Sequence, residues 1–190
     1  MVILGWIAGS QATLIRRLNL EDMVARADRI VVGTVVKVSD DETTGEKAYP
    51  TTVIEFSVSD TLKGQHAKTV KLRQLSNRKK TRLSAMIQLP VFHPGETVVV
   101  FLSKPSPIGM TSPVGFEQGV FRVPTKPGSK PSKNSPVLNG TQNHDLLAKV
   151  TSSKLKAYAK QKKIDPVKGG RPVTLGQLKE MIGLVEKAPR

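Results

Sequence analysis

Beyond residue 29 the apolar positions of this chain change their period once. Between Ile30 and Val123 they favour the alternation of β-strands, and after Leu146 they fall at helical spacing. "TTVIEFSVSDTLKG" (51–64) sets Ile54, Phe56 and Val58 opposite Val53, Glu55, Ser57 and Ser59. "TVKLRQLS" (69–76) sets Val70, Leu72 and the polar Gln74 opposite Lys71 and Arg73. A Pro94-Gly95 turn signal precedes the strongly β-forming run Thr97 to Leu102, and "GFEQGVFRV" (115–123) reads as a further strand. Ahead of these, "LNLEDMVARADR" carries Asn19 as an N-cap and Asp22 at the third helical position. Leu20, Met23, Val24 and Ala27 share one face, and Leu18 with Met23 has the spacing of a hydrophobic staple. A short helix is expected there.

The first strand raises a question of its own. Ile30 to Val38 is nearly all apolar, so it is buried on both faces or changes face midway, and Gly33 interrupts it. Glycine inside a strand costs stability and usually marks a bulge or a sharp bend. A bent first strand that pairs at both ends is what a small barrel needs. A phosphate-cradling loop is excluded, because Gly33 stands alone and β-formers follow it.

The remaining segments are punctuated more loosely. "SDDETTGEKAY" (39–49) reads as an acidic turn and "NRKKTRLSAMIQ" (77–88) as a basic loop. Residues 124–144 hold Pro124, Pro127, Pro131 and Pro136, which predicts an extended loop or hairpin with a strand near "SPVLN". "NGT" (139–141) matches a glycosylation sequon, but a turn is expected. Leu146, Leu147 and Val150 suggest a short helix, and "SKLKAYAKQKK" a basic one. In "VTLGQLKEMIGLVEK", Thr174 and Gln177 have capping-box spacing and Val173 and Leu178 that of a staple. Leu175, Leu178, Ile182 and Val185 make its apolar stripe. No internal repeat is visible.

Composition changes this picture in two places. The 190 residues contain 30 Lys+Arg against 15 Asp+Glu, a net charge of +15 that favours polyanionic partners. There is no cysteine, which excludes disulfide scaffolds, thiolate zinc sites and thiol nucleophiles. The first twelve residues, "MVILGWIAGSQA", join a short apolar run to Ser10 and Ala12, placed like the −3 and −1 positions of a signal-peptidase site. The run is far shorter than the ~20 residues of a membrane-spanning helix. A signal-peptide remnant over 1–12, a chain starting at Thr13, and export to the periplasm or exterior are the expectation; no Lys or Arg precedes the run, and an ordinary buried N-terminal strand is the alternative.

Candidate chemistry is sparse. His66, His93 and His144 lie in separate turn-like segments without metal-ligand spacing, and Asp40, Asp41 and Glu42 lack the pattern of a calcium loop. No nucleophile motif or phosphate loop occurs, so no enzyme, cofactor or metal is expected. Charge is the remaining feature. Lys63 to Arg82 has eight basic residues and no acid, and nine lysines between Lys126 and Lys163 face Asp145 alone. Lys71, Arg73, Arg78, Lys79, Lys80 and Arg82 form the candidate polyanion-binding set.

In their order, "ARADRIVVGTVVKV", "TVIEFSVSDTLKG", "VFHPGETVVVFL" and "EQGVFRV" resemble the tissue-inhibitor-of-metalloproteinases-like (netrin-like) domains, notably the exported bacterial type. The resemblance covers roughly residues 20–123 and implies a small OB-like five-stranded antiparallel barrel, placed with its N-terminal helix over 13–123. The residues themselves add a Pro/Lys/Ser-rich loop or hairpin over 124–144 and a C-terminal helical extension over 145–190, a mainly β fold with flanking helices. Animal members plug a metalloproteinase zinc with an N-terminal cysteine, which this chain lacks. The expected function is an exported non-enzymatic binding module for a protein or an anionic envelope component. An intracellular OB-type nucleic-acid-binding protein is the alternative, though the basic segments offer no interleaved aromatics for base stacking.

Overall fold

The computed structural model describes residues 16–41, 50–76, 89–125, 129–165 and 172–187. The expected leader with Thr13, most of the acidic turn and the basic loop carrying Arg78, Lys79, Lys80 and Arg82 lie outside the described residues. Seven strands, β1 (Arg29–Asp41), β2 (Thr51–Lys63), β3 (Thr69–Leu75), β4 (Thr97–Leu102), β5 (Val120–Val123), β6 (Pro136–Asn139) and β7 (Val173–Thr174), form one antiparallel sheet in the order β3-β2-β1-β4-β5-β6-β7. Helices α1 (Leu20–Arg26), α2 (Ser153–Gln161) and α3 (Leu175–Glu186) complete the described fold.

The expected closed five-stranded barrel is not formed. β5 pairs onward with β6, and β6 with β7, so the sheet extends where a barrel would return to its first edge. The cause is the second face of β4 and β5. Val99, Phe101, Phe121 and Val123 are buried beneath α1, α2 and α3 in one hydrophobic cluster, which rewards continuing the sheet under the helices. A second cluster on the opposite face joins Val31, Val35, Ile54, Phe56, Leu72, Val98 and Val100 to Phe92, whose ring meets Phe56 edge-on at 5.5 Å. Curling about this second cluster brings the β3 edge near the segment after β4, and Thr111 N–H donates to the Arg73 carbonyl at 2.8 Å. That single backbone bond is no strand pairing. The helical residues after 145 belong to the main core and are not an appendage to it.

β1 explains why Gly33 is there. It pairs with β2 along its length but with β4 only over Arg29–Thr34. The β1–β2 register slips between Val32 and Gly33, where Ser59 of β2 stands unpaired and its hydroxyl donates to the Val32 carbonyl at 3.2 Å. A Cβ on Gly33 would lie 3.1 Å from Phe56 Cβ and 3.2 Å from the Ser57 carbonyl oxygen. Close backbone approach, and no special φ, is what the glycine permits. The change of face comes three residues later. Val36 is unpaired and exposed between the Val35–Phe56 and Lys37–Glu55 pairs, and Val38 thereafter packs with the Val35 side.

Local signals behave as their chemistry requires. Asn19 Oδ1 accepts from Asp22 N–H at 2.8 Å, and Thr174 and Gln177 form the full capping box of α3. His93 to Glu96 is a turn with Gly95 at φ 88° after Pro94, and its amide donates to Val35 O across the β1 bulge. Two expectations fail. Residues 116–119 form a 3-10 helix, so the fifth strand starts only at Val120. Residues 146–150 are not α-helical: Gln142, Asn143, Asp145 and Lys149 take left-handed φ and the chain runs in successive tight turns. Here asparagine side chains replace helical bonds. Asn139 Oδ1 accepts from the amides of Thr141 and Asn143, and Asn143 Oδ1 from that of Asn139.

Candidate functional site

The helices cover only part of their sheet face. In register across that face run Val32, Val99 and Phe121, all buried. Two residues further along the strands the row changes character. Thr69 of β3 pairs with Ser57 of β2, Ser57 with Thr34 of β1, and Thr34 with Thr97 of β4. Directly paired residues point to the same side, so four hydroxyls cross four adjacent strands in one row. Thr34 and Thr97 stand 3.2 Å apart, oxygen to oxygen. Ser57 and Thr69 are exposed, Thr34 is partly exposed and Thr97 is buried.

A groove of about 1030 Å³ opens over three members of the row, Ser57, Thr34 and Thr97. Its walls are the Pro94–Glu96 turn, Asp60 and Ser59 of β2, Pro124 and Pro131, and the start of α3. Val32, Val58, Val123 and Leu175 add apolar surface. Both charge signs are present and most are committed. Lys179 Nζ pairs with Asp60 at 2.8 Å, Arg122 grips Glu117 through two nitrogens at 2.7 and 3.3 Å, and Glu96 accepts from the His93 amide at 3.1 Å. The groove can donate and accept hydrogen bonds along its floor. None of its side chains is aromatic.

The candidate basic residues are placed as follows. Lys71 and Arg73 share the outward side of β3, the side that carries Thr69. Each already has a carboxylate: Lys71 pairs with Glu55 at 3.2 Å, and Arg73 with Asp41 at 3.0 Å while its Nε donates to Thr51 Oγ1. Arg78, Lys79, Lys80 and Arg82 lie outside the described residues. Asp40 accepts from Thr52 Oγ1 at 3.1 Å, and Asp41 is the partner of Arg73, so these acids are structural in this fold. His66, His93 and His144 are each exposed on separate segments. Among the described residues no group of three or more His, Cys, Asp or Glu could hold a metal ion. Asn139 of the sequon is buried, and its amide nitrogen donates to the Gln118 carbonyl at 3.0 Å, which makes it a turn residue.

The hydroxyl row went unread in the sequence because its members lie on four strands, and only the register aligns them. One further side chain stands out electrostatically. Burial first, and the neighbouring Glu180 carboxylate second, push the Tyr158 phenol well above its ordinary range.

No protein-family model matches this sequence, and no curated protein matches it. Among the described residues no helix is long and apolar enough to cross a membrane.

Proposed function

We propose that this chain is an exported, non-enzymatic binding module that holds an extended segment of a partner protein in the groove above the hydroxyl row. The carrying observation is the row itself, three of whose members, Ser57, Thr34 and Thr97, line the floor of a groove of about 1030 Å³. A hydroxyl both donates and accepts, so a row of them suits the alternating N–H and C=O groups of an extended peptide. Valines, prolines and both charge signs along the walls match the mixed side chains of a polypeptide. The resemblance to netrin-like domains supports a protein partner, and the absence of cysteine moves the contact from the terminus to this groove. The nucleic-acid alternative lacks any aromatic platform in the groove.

Ser57 is exposed on β2, so Ser57→Trp fills the groove on a strand that tolerates an aromatic. Peptides selected from a displayed library on the native protein should lose binding to this variant by tenfold or more. Selection of none, or retained binding to Ser57→Trp, refutes the groove. Export is tested separately: fractionation of native cells should yield a non-cytosolic chain starting at Thr13, and an intact Met1 in the cytosol refutes it.

A further inference from the structure

A second surface, remote in the chain from the groove floor and independent of that reading, is concentrated on α2. From Lys149 to Lys163 the sequence carries Lys149, Lys154, Lys156, Lys160, Lys162 and Lys163, with neither arginine nor acid between them. All six are exposed. The described residues contain salt bridges for Arg17, Lys63, Lys71, Arg73, Arg122 and Lys179, and none for these six. Their charge has no carboxylate partner, unlike that of the β3 cations; Lys162 Nζ alone has a ring contact, 5.8 Å from the centroid of Tyr158.

The scaffold beneath them is fixed. Leu155 and Ala159 are buried in the main core, Ser152 caps the helix, and the Glu21 carboxylate of α1 accepts from the amides of Thr151 and Ser152 at 2.7 Å each. Lys156 and Lys160, four apart, stand one above the other. Lys154 projects from the opposite flank, and the exposed Ser153 and Ala157 lie between. Small side chains flanked by long cations let a thin chain lie close against the helix.

We propose that this face binds a linear acidic polysaccharide, one bearing carboxylates or sulfates along its length. The cations line the exposed side of a convex rod, which a flexible chain can follow and a flat bilayer touches on one flank only. The exposed large hydrophobic residues of the described chain are Val36, Val91 and Ile108, so α2 has none to enter a membrane. Nucleic acid is disfavoured by side-chain type. The face has no guanidinium fork for phosphate, and its one aromatic residue, Tyr158, has a buried hydroxyl and is half covered. Lysines are point charges that neutralise spaced anions without demanding geometry.

The test measures binding of the full chain to heparin and to polygalacturonate across a salt series. Lys149, Lys154, Lys156 and Lys160 are replaced together by Gln. A dispersed set of equal charge, Lys68, Lys104, Lys133 and Lys187, is replaced in parallel. The helix set should weaken binding about tenfold or more and flatten the salt dependence, through lost counterion release. The dispersed set should cost less than threefold, and Lys→Arg at the four helix positions should retain binding. Loss with heparin alone assigns a sulfated ligand, and loss with polygalacturonate a carboxylated one. Equal losses from both sets overturn the proposal. So does a larger loss from Ser at Arg78, Lys79, Lys80 and Arg82, or tighter binding of the native chain to single-stranded DNA of equal charge or to anionic vesicles.

Discussion

Adding a side chain at Gly33 probes the closest approach in the sheet. The position is buried, paired on one side with Val58 and on the other with Val98, so a new group has no route to solvent. A Cβ would stand 3.1 Å from Phe56 Cβ and 3.2 Å from the Ser57 carbonyl oxygen. Both contacts are a few tenths of an ångström too short, and the second is to backbone held by the β1–β2 and β2–β3 ladders. Replacing glycine by alanine in a strand ordinarily gains about 0.5–1 kcal/mol, whereas overpacking costs about 1–3 kcal/mol. Gly33→Ala should therefore destabilise by about 1 kcal/mol. Gly33→Val adds two more methyl carbons against the fully buried Phe56 and should cost about 2–3 kcal/mol. In a chain of 190 residues that lowers the melting temperature by roughly 5–10 °C. Urea unfolding followed by far-ultraviolet circular dichroism measures both variants. A valine variant as stable as the native chain would show that β1 and β2 are free to separate here, and the steric account of Gly33 would be wrong.

Two other side chains give sharp expectations. Asn139→Ala removes an amide that donates to Gln118 O and accepts from Thr141 N–H, Thr141 Oγ1 and Asn143 N–H, so unfolding should become easier by about 2–4 kcal/mol; a change below about 0.5 kcal/mol would mean that water replaces this network without loss. Because the Tyr158 phenol is held above its ordinary range, its contribution to stability is whole below the unfolded value near pH 10 and declines as the pH rises beyond it, where the unfolded chain ionises first. In a Tyr49→Phe variant, phenolate absorbance should appear only above that ordinary range, together with loss of circular dichroism; titration near pH 10 with the fold intact would contradict the burial.

Local chemistry in this chain was legible residue by residue. Asn19 and Thr174 announce helix starts because a capping side chain acts within three residues, and Pro94-Gly95 announces a turn because φ is set by the residues themselves. The alternation of β2 and β3 likewise survives, since each strand has one dry and one wet face. Closure of the sheet was not legible. Whether β5 returns to an edge or continues to β6 depends on which surface covers Phe101 and Phe121, and that surface is assembled from helices at both ends of the chain. The pairing of Lys71 with Glu55 and of Arg73 with Asp41 was hidden for the same reason, each partner lying on another strand. The turns after Asn139 imitate a helix in their leucine spacing, yet two asparagine amides capture the backbone first.

The anchoring of α1 has a consequence for how the protein is made. Its partners lie far down the chain: Asn19 Nδ2 donates to Ala148 O, 129 residues away, and the Glu21 carboxylate meets Thr151, 130 residues away. At a synthesis rate of about 5–20 residues per second, Leu20, Met23 and Val24 leave the ribosome on the order of ten seconds before the surface that will bury them exists. A seven-residue helix does not persist alone. For that interval Leu20 to Arg26 is an unstructured, partly apolar segment, open to any holding factor that meets it. Cooperative folding must wait until the segment after Asp145 has been made, because its side chains complete the core that buries α1.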